Sequence, residues 1–197
     1  MPVNAALRDH LKTRRSVGIA FLQEPGPDEA VLAEMLTIAT RVPDHRKHAP
    51  WRLVLYRGAA RAQVGEKLAE IVRRRNPDID EASLEAERQR FLPAPLTIGV
   101  LSVPVDDPKV PEIEQVLSAG NVCFNLLHAA AAFGFGASWV TRWYAFDAEA
   151  ATMLGAGEGE RFVGFVHIGT ATTPIEDRDR PKLGDVVREW GVDSQRG

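Results

Sequence analysis

Val116 to Thr141 reads VLSAGNVCFNLLHAAAAFGFGASWVT, and this stretch decides the fold. Its first part is apolar nearly all round: Val116, Leu117, Val122, Phe124, Leu126, Leu127, the alanines at 129–132 and Phe133. A helix without a wet face is covered on most sides, by its own domain or by a partner chain. Gly134 and Gly136 stop it, because glycine readily takes the left-handed conformation that ends helices. Ala137 to Thr141 then predicts a short strand. The expected arrangement is one buried helix that ends in a glycine turn beside a sheet. Such a turn lets backbone N–H groups approach a flat ligand, although a core helix with a glycine stop is more often packing alone.

Working outward, three runs predict strands: Trp51–Tyr56 (WRLVLY), Leu96–Val103 (LTIGVLSV) and Phe162–Gly169 (FVGFVHIG). Asn4–Thr13 predicts a helix with Leu7 and Leu11 stacked at i,i+4. A second helix fits Asp28–Thr40, started by Pro27 and Asp28 and stopped at Arg41-Val42-Pro43, since the residue before proline avoids helical geometry. Ala59–Arg74 is amphipathic, and Glu81–Phe91 is so charged that it predicts an exposed helix. Asp147–Leu154 predicts a short helix capped by Asp147 and stopped by Gly155. Asp44–Pro50 (DHRKHAP) is a polar loop, and Pro104–Pro111 a loop of the kind that lies over a site. The tail, Thr170–Gly197, carries Arg178, Arg180, Pro181 and Lys182 before a short apolar segment, Leu183–Trp190. Helices and strands mix without regular β-α-β alternation, so the class is α+β, in one domain spanning 1–197.

Composition narrows the function. A net charge of −3 over 197 residues gives no general pull toward nucleic acid or an anionic membrane, so local basic clusters must serve a small anionic ligand. The single cysteine, Cys123, excludes an intramolecular disulfide and a thiolate metal cluster. The first residues, MPVNAALRDHLKTRRS, hold no hydrophobic signal region, and no apolar run approaches about 18 residues, so a reducing cytoplasm is expected.

Three basic clusters lie far apart: Arg14-Arg15-Ser16; Arg41 with His45, Arg46, Lys47 and His48; and Arg178 to Lys182. Arginine and serine suit phosphate, because a planar fork of donors matches its oxygens and a hydroxyl adds one more. Taken singly, such a cluster is more often a solvated charged face. No GxGxxG follows a strand, and no GxxxxGK[ST], HExxH, zinc spacing or GxSxG is present. His45 and His48 sit in a proline-bounded loop unsuited to a metal, so no metal site is expected.

Five motifs in order, TRRS at 13–16, RVPDH at 41–45 closing with Pro50-Trp51, NLLHAAAAFGFGASW at 125–139, VGFVHIGT at 163–170 and DRPK at 179–182, resemble the FMN-dependent nitroreductase family, in particular its short, minimal bacterial subgroup. The resemblance implies a nitroreductase-like fold with a central mixed β-sheet flanked by helices. It implies an intertwined homodimer with FMN at the interface, and NADH or NADPH as electron donor. By position, Arg14, Arg15 and Ser16 match the N-terminal FMN motif, and Arg180 the C-terminal phosphate arginine, with Lys182 as a second cation. Arg41 and His45 match residues that reach the flavin from the other subunit. Trp139, Val140 and Thr141 match the strand bordering the isoalloxazine ring, and the turn from Ala132 to Ala137 a segment that meets the nicotinamide cofactor. His128 and His167 read as packing.

The implied chemistry is a two-step exchange: hydride passes from NAD(P)H to flavin N5, then to a nitroaromatic, quinone or other small flat aromatic acceptor, with no catalytic side chain acting as nucleophile. This sequence departs from the family pattern at Lys47 and Ala49, where Asn and Gln are common, and at Gly18, where a lysine often favours the reduced flavin. Arg41 or Lys47 then supplies that charge. Three alternatives stay open: an FMN-binding module without turnover, used for storage or sensing; a flavin dehydrogenase for a specific metabolite; and a phosphate-ligand protein without flavin.

Overall fold

Capping side chains set many of the element ends. The structure, a computed structural model, describes residues 2–191. Asn4 caps α1 (Ala5–Thr13) and Asp28 caps α2 (Glu29–Ala39), accepting from Leu7 N at 3.1 Å and Val31 N at 2.9 Å. Strands β1 (Leu22–Gln23) and β2 (Trp51–Arg57) lie on either side of α2 in the chain. Helices α3 (Ala59–Arg75) and α4 (Glu81–Arg88) lead to β3 (Leu96–Ser102), every residue of which is buried. Then come α5 (Glu112–Ala132), β4 (Gly136–Val140), α6 (Trp143–Phe146), α7 (Ala148–Met153), β5 (Arg161–Ala171) and α8 (Leu183–Val186). The predicted tail beyond 191 lies outside the described residues.

The chain divides into two units, Ser16–Pro174 and a terminal unit of Met1–Arg15 with Ile175–Gly197. In the larger unit, β5 is the central strand, with β3 and then β2 on one edge and β4 on the other, while the two-residue β1 pairs with its C-terminal end. All four pairings are antiparallel, whereas the resemblance implies a mixed sheet. The reason is the 21-residue α5, which carries the chain across the sheet, so that β3 and β4 run the same way with β5 between them.

Two cores result. On one face, Leu32 and Met35 of α2 and Val122, Leu126, Ala129 and Ala130 of α5 pack on Ile98, Val100, Val166 and Ile168. On the other, Leu68 and Ile71 of α3 join Phe91, Tyr144, Leu154, Phe162 and Phe165. Gly65 lets α3 approach α4, since a Cβ there would fall 2.0 Å from the Arg88 carbonyl oxygen.

The central helix starts earlier than its apolar run, and its own unit covers only one side of it. Ile113, Leu117 and Phe124 stay 62%, 61% and 41% exposed. Its C-terminus is closed as expected, with Gly134 at φ +81. Phe135 N donates to Ala130 O at 2.8 Å and Gly134 N to Ala131 O at 3.1 Å, the paired bonds of a Schellman ending. One expectation shifts. The charged helix ends at Arg88, and Phe91 becomes fully buried. The short α6 also carries no periodic signal, because Tyr144 and Ala145 are its only buried residues. No helix among the described residues is long and apolar enough to cross a membrane.

His167 is fully buried on β5, within 2.9 Å of Thr97 Oγ1 and edge-on to Phe91. Burial pushes its pKa down to about 3. The unfolded chain therefore takes up a proton below about 6.5 that the folded chain refuses until about 3. Stability from this group is complete above pH 6.5 and falls by about 1.4 kcal/mol per pH unit as pH drops through that window. Urea unfolding of wild type and His167→Gln between pH 7 and 4.5 should show their stability difference narrowing at that slope below pH 6.

Candidate functional site

In the larger unit, the loop carrying Arg41 and His45 runs along one stripe of α5. Asn125 Nδ2 donates to Arg41 O at 3.0 Å and to Ile38 O at 3.3 Å. Ser118 Oγ donates to Pro43 O at 2.6 Å. His45 Nδ1 lies 2.8 Å from Glu114 Oε2. Positions 114, 118 and 125 are spaced by four and seven, which puts them on one helical face. None of the three was singled out from sequence as a contact: Ser118 and Asn125 interrupt the apolar run and Glu114 precedes it.

Past His45 the backbone turns sharply. Arg46, Lys47 and Ala49 have φ of 63, 60 and 48, and none is glycine. Asp44 holds this turn, its Oδ1 accepting from His48 N at 3.1 Å and its Oδ2 from Ala49 N at 2.8 Å. Asp107, from the 104–111 loop, reaches Arg46 Nε at 3.1 Å and His48 Nε2 at 2.9 Å. The backbone N–H of Lys109, then His48 and Arg46, hold the Asp107 carboxyl below the usual carboxylate range.

Ser16 and the strand residues meet at the start of β4. Val17 N donates to Ala137 O at 3.0 Å, which fixes Ser16 beside the strand. Gly136 makes this approach possible, because a Cβ there would fall 2.7 Å from the Val17 side chain. Trp139 lies across β5, its Nε1 donating to Val163 O at 3.3 Å. A Cβ on Gly164 would fall 1.9 Å from that Nε1, so the missing side chain is the seat of the indole. The ring is still 37% exposed. Val140 packs on the second core, and Thr141 is exposed. Between Ala132 and Ala137, Phe133 and Phe135 pack partly buried on the first core.

Around α5, Gly120 near the Trp139 ring and Glu114 beside His45 are about 120° apart, at about 100° per residue. The exposed side chains of Leu117 and Phe124 lie between them. The larger unit thus holds Arg41 and His45 along one flank of α5, and sets Ser16 beside the strand whose Trp139 meets another flank.

In the terminal unit, two of the distant basic clusters do meet. Arg15 Nη1 donates to Glu176 O and lies 3.8 Å from Asp177. Arg180 Nη2 lies 3.4 Å from both Arg14 O and Asp177 Oδ1. Asp177 sits between the two guanidinium groups, and the Arg178 backbone N–H, with Arg180 and Arg15, keeps its carboxyl below the usual range. Lys182 is exposed at the N-cap of α8. Among the described residues no group of three His, Cys, Asp or Glu is placed to hold a metal ion. Cys123 is buried, which raises its thiol pKa and leaves it inert.

Residues 11–170 match the model of the Nitroreductase family. The "Putative NAD(P)H nitroreductase YdjA" of Escherichia coli strain K12 is 30% identical over 160 residues, 81% of this chain and 85% of that protein. The "Putative NAD(P)H nitroreductase YfhC" of Bacillus subtilis strain 168 is 26% identical over 89% of this chain and 93% of its own length. Among solved structures, a nitroreductase-like family protein from Bacillus cereus superposes with a TM-score of 0.78 at 23% identity, covering 98% of this chain and 100% of its own. A mutant of NfnB from sphigopyxis sp. strain HMH, described as an FMN and NADPH-dependent nitroreductase, gives 0.72 at 19% identity over 94% and 99%. The fold is therefore nitroreductase-like, and the chain belongs to the Nitroreductase family.

Proposed function

We propose that the protein is an FMN-dependent oxidoreductase that draws electrons from NADH or NADPH and reduces nitroaromatics, quinones or similar flat electrophiles. The observation that carries this, beside family membership, is the meeting of Arg15 and Arg180 from distant parts of the chain around Asp177, with Arg180 also reaching the Arg14 carbonyl. The donor set fits a phosphate monoester, since guanidinium forks pair with its oxygens. Both Arg180 contacts are 3.4 Å long, near the limit of a hydrogen bond, so a closer anion competes well for that fork.

In this proposal Arg14, Arg15 and Arg180 of the terminal unit bind phosphate, with Lys182 as a further cation. Within the larger unit, the residues that the family resemblance assigns to FMN are Ser16, Arg41, His45, Trp139, Val140 and Thr141. FMN, when bound, supplies two-electron exchange between the nicotinamide and the acceptor. Trp139 offers a half-open indole face to a flat ring. Arg41 supplies positive charge that the chain lacks at Gly18, which favours negative charge gathering near it. With Nδ1 engaged by Glu114, His45 keeps Nε2 as the ring atom available to hydrogen-bond a ligand.

The proposal includes a homodimer. The exposed apolar stripe of α5, Ile113, Leu117 and Phe124, supports it. The separation of His45 from Trp139 around α5 supports it too, because a second copy on that stripe supplies one of the two to the other's site. Residues 1–197 act in it as one FMN-binding domain, in a cytoplasmic setting suited to the lone buried Cys123 thiol.

Purified protein should show a flavin absorption spectrum, directly or after FMN is added, and should oxidise NADH or NADPH steadily when a nitroaromatic or quinone is present. Bound FMN with no acceptor reduced would mark a flavin-binding module instead, and a colourless protein that takes up no FMN ends the reading. In FMN titrations followed by flavin fluorescence, Arg14→Ala and Arg180→Ala should each weaken binding by about 1–3 kcal/mol. Unchanged affinity in both would remove them from the phosphate site.

A further inference from the structure

The turn after His45 is built against its own residue types. Left-handed backbone at a non-glycine residue is disfavoured, and here three of four consecutive positions, Arg46, Lys47 and Ala49, adopt it. Such a turn persists only where its surroundings over-determine it. Two carboxylates do so. Asp44, within the turn, takes the backbone N–H groups of His48 and Ala49. Asp107 belongs to another loop and takes the side chains of Arg46 and His48 on the same Oδ2.

Asp107 is itself rigidly placed. Its side chain is only 16% exposed, and its Oδ1 accepts from Lys109 N at 2.9 Å. Its loop is clamped to α5 by the buried Gln115. Gln115 Oε1 accepts from Val105 N at 2.8 Å, and its Nε2 donates to Val105 O at 2.8 Å and Val110 O at 3.2 Å. A continuous hydrogen-bonded path therefore runs from α5 through Gln115 and the 104–111 loop to Asp107, then to the 44–50 turn.

We propose that Asp107 is a positioning residue for the ligand site: through Arg46 and His48 it keeps the 44–50 turn in the left-handed conformation that presents His45 and Lys47. This rests on the FMN reading above for the ligand. It also makes a prediction opposite in sign to simple electrostatics. Removing a negative charge beside Arg46 and His48 should tighten binding of an anion if charge alone matters. It should weaken binding if the carboxylate's work is to hold the turn.

The test compares wild type, Asp107→Asn, Asp107→Asn with Ala49→Gly, and Asp106→Asn as a neighbouring exposed control. FMN affinity and amide hydrogen exchange of the peptide spanning 44–50 are measured on each full chain. Asp107→Asn should raise the FMN Kd about tenfold, equal to about 1.4 kcal/mol. It should also speed exchange at His48 and Ala49, while Asp106→Asn leaves both unchanged. Adding Ala49→Gly should restore most of the affinity, because glycine takes the left-handed conformation without strain. Unchanged or tighter FMN binding in Asp107→Asn overturns the proposal. So does a loss that Ala49→Gly fails to restore, which assigns the effect to charge or folding. If wild type binds no FMN, the functional reading falls, and the hold on the turn is judged by exchange alone: unchanged exchange in Asp107→Asn sinks it.

Discussion

Burial of one side of α5 against the sheet is the constraint on which the larger unit depends. Val122, Leu126, Ala129 and Ala130 fill the first core, with Ile98, Val100, Val166 and Ile168 beneath them. Each fully buried aliphatic side chain there contributes about 1.5–3 kcal/mol. Because the helix cannot roll without exposing that row, every group attached to its remaining surface is fixed as well. Glu114, Ser118 and Asn125 hold one loop along it, Gln115 holds another, and Gly120 faces the tip of Trp139. The helix acts as a ruler, and the site residues of the larger unit are read off along it.

Much of this was legible in the sequence, for reasons that differ by element. The central helix, its glycine stop and the strand after it follow from an apolar run too long for a strand and from glycine's conformational freedom. The strands β2, β3 and β5 follow from compact runs of β-branched and aromatic residues. The caps at Asp28 and Asp147 follow from short side chains that bond the first free amides, whereas Asn4, read as helical, is itself a cap. What failed was burial without periodicity. Phe91 enters the second core from a non-helical segment, and Glu87 is buried because Arg90 and Trp143 satisfy it, a pairing that only the folded chain creates.

The candidate site divides the same way. Its cations could be named one by one, since arginine beside serine has few uses other than an anion or solvent. Their carboxylate partners could not. Asp44, Asp107, Glu114 and Asp177 sit in charged loops or in a helix's first turn, where an acidic residue carries no mark distinguishing a hydrogen-bonded anchor from a solvated charge. Gly164 was equally silent. Its importance comes from an indole that arrives from a neighbouring strand, 25 residues away in sequence.

That indole has a practical consequence. Trp139 rests on bare backbone on one side and is open on the other, at 37% exposure. An aromatic group arriving from solution can therefore touch the exposed part of the indole. If a conjugated ligand settles against it as proposed, it would drain the excited state of the indole, so the strand would carry its own optical gauge of occupancy without an attached dye.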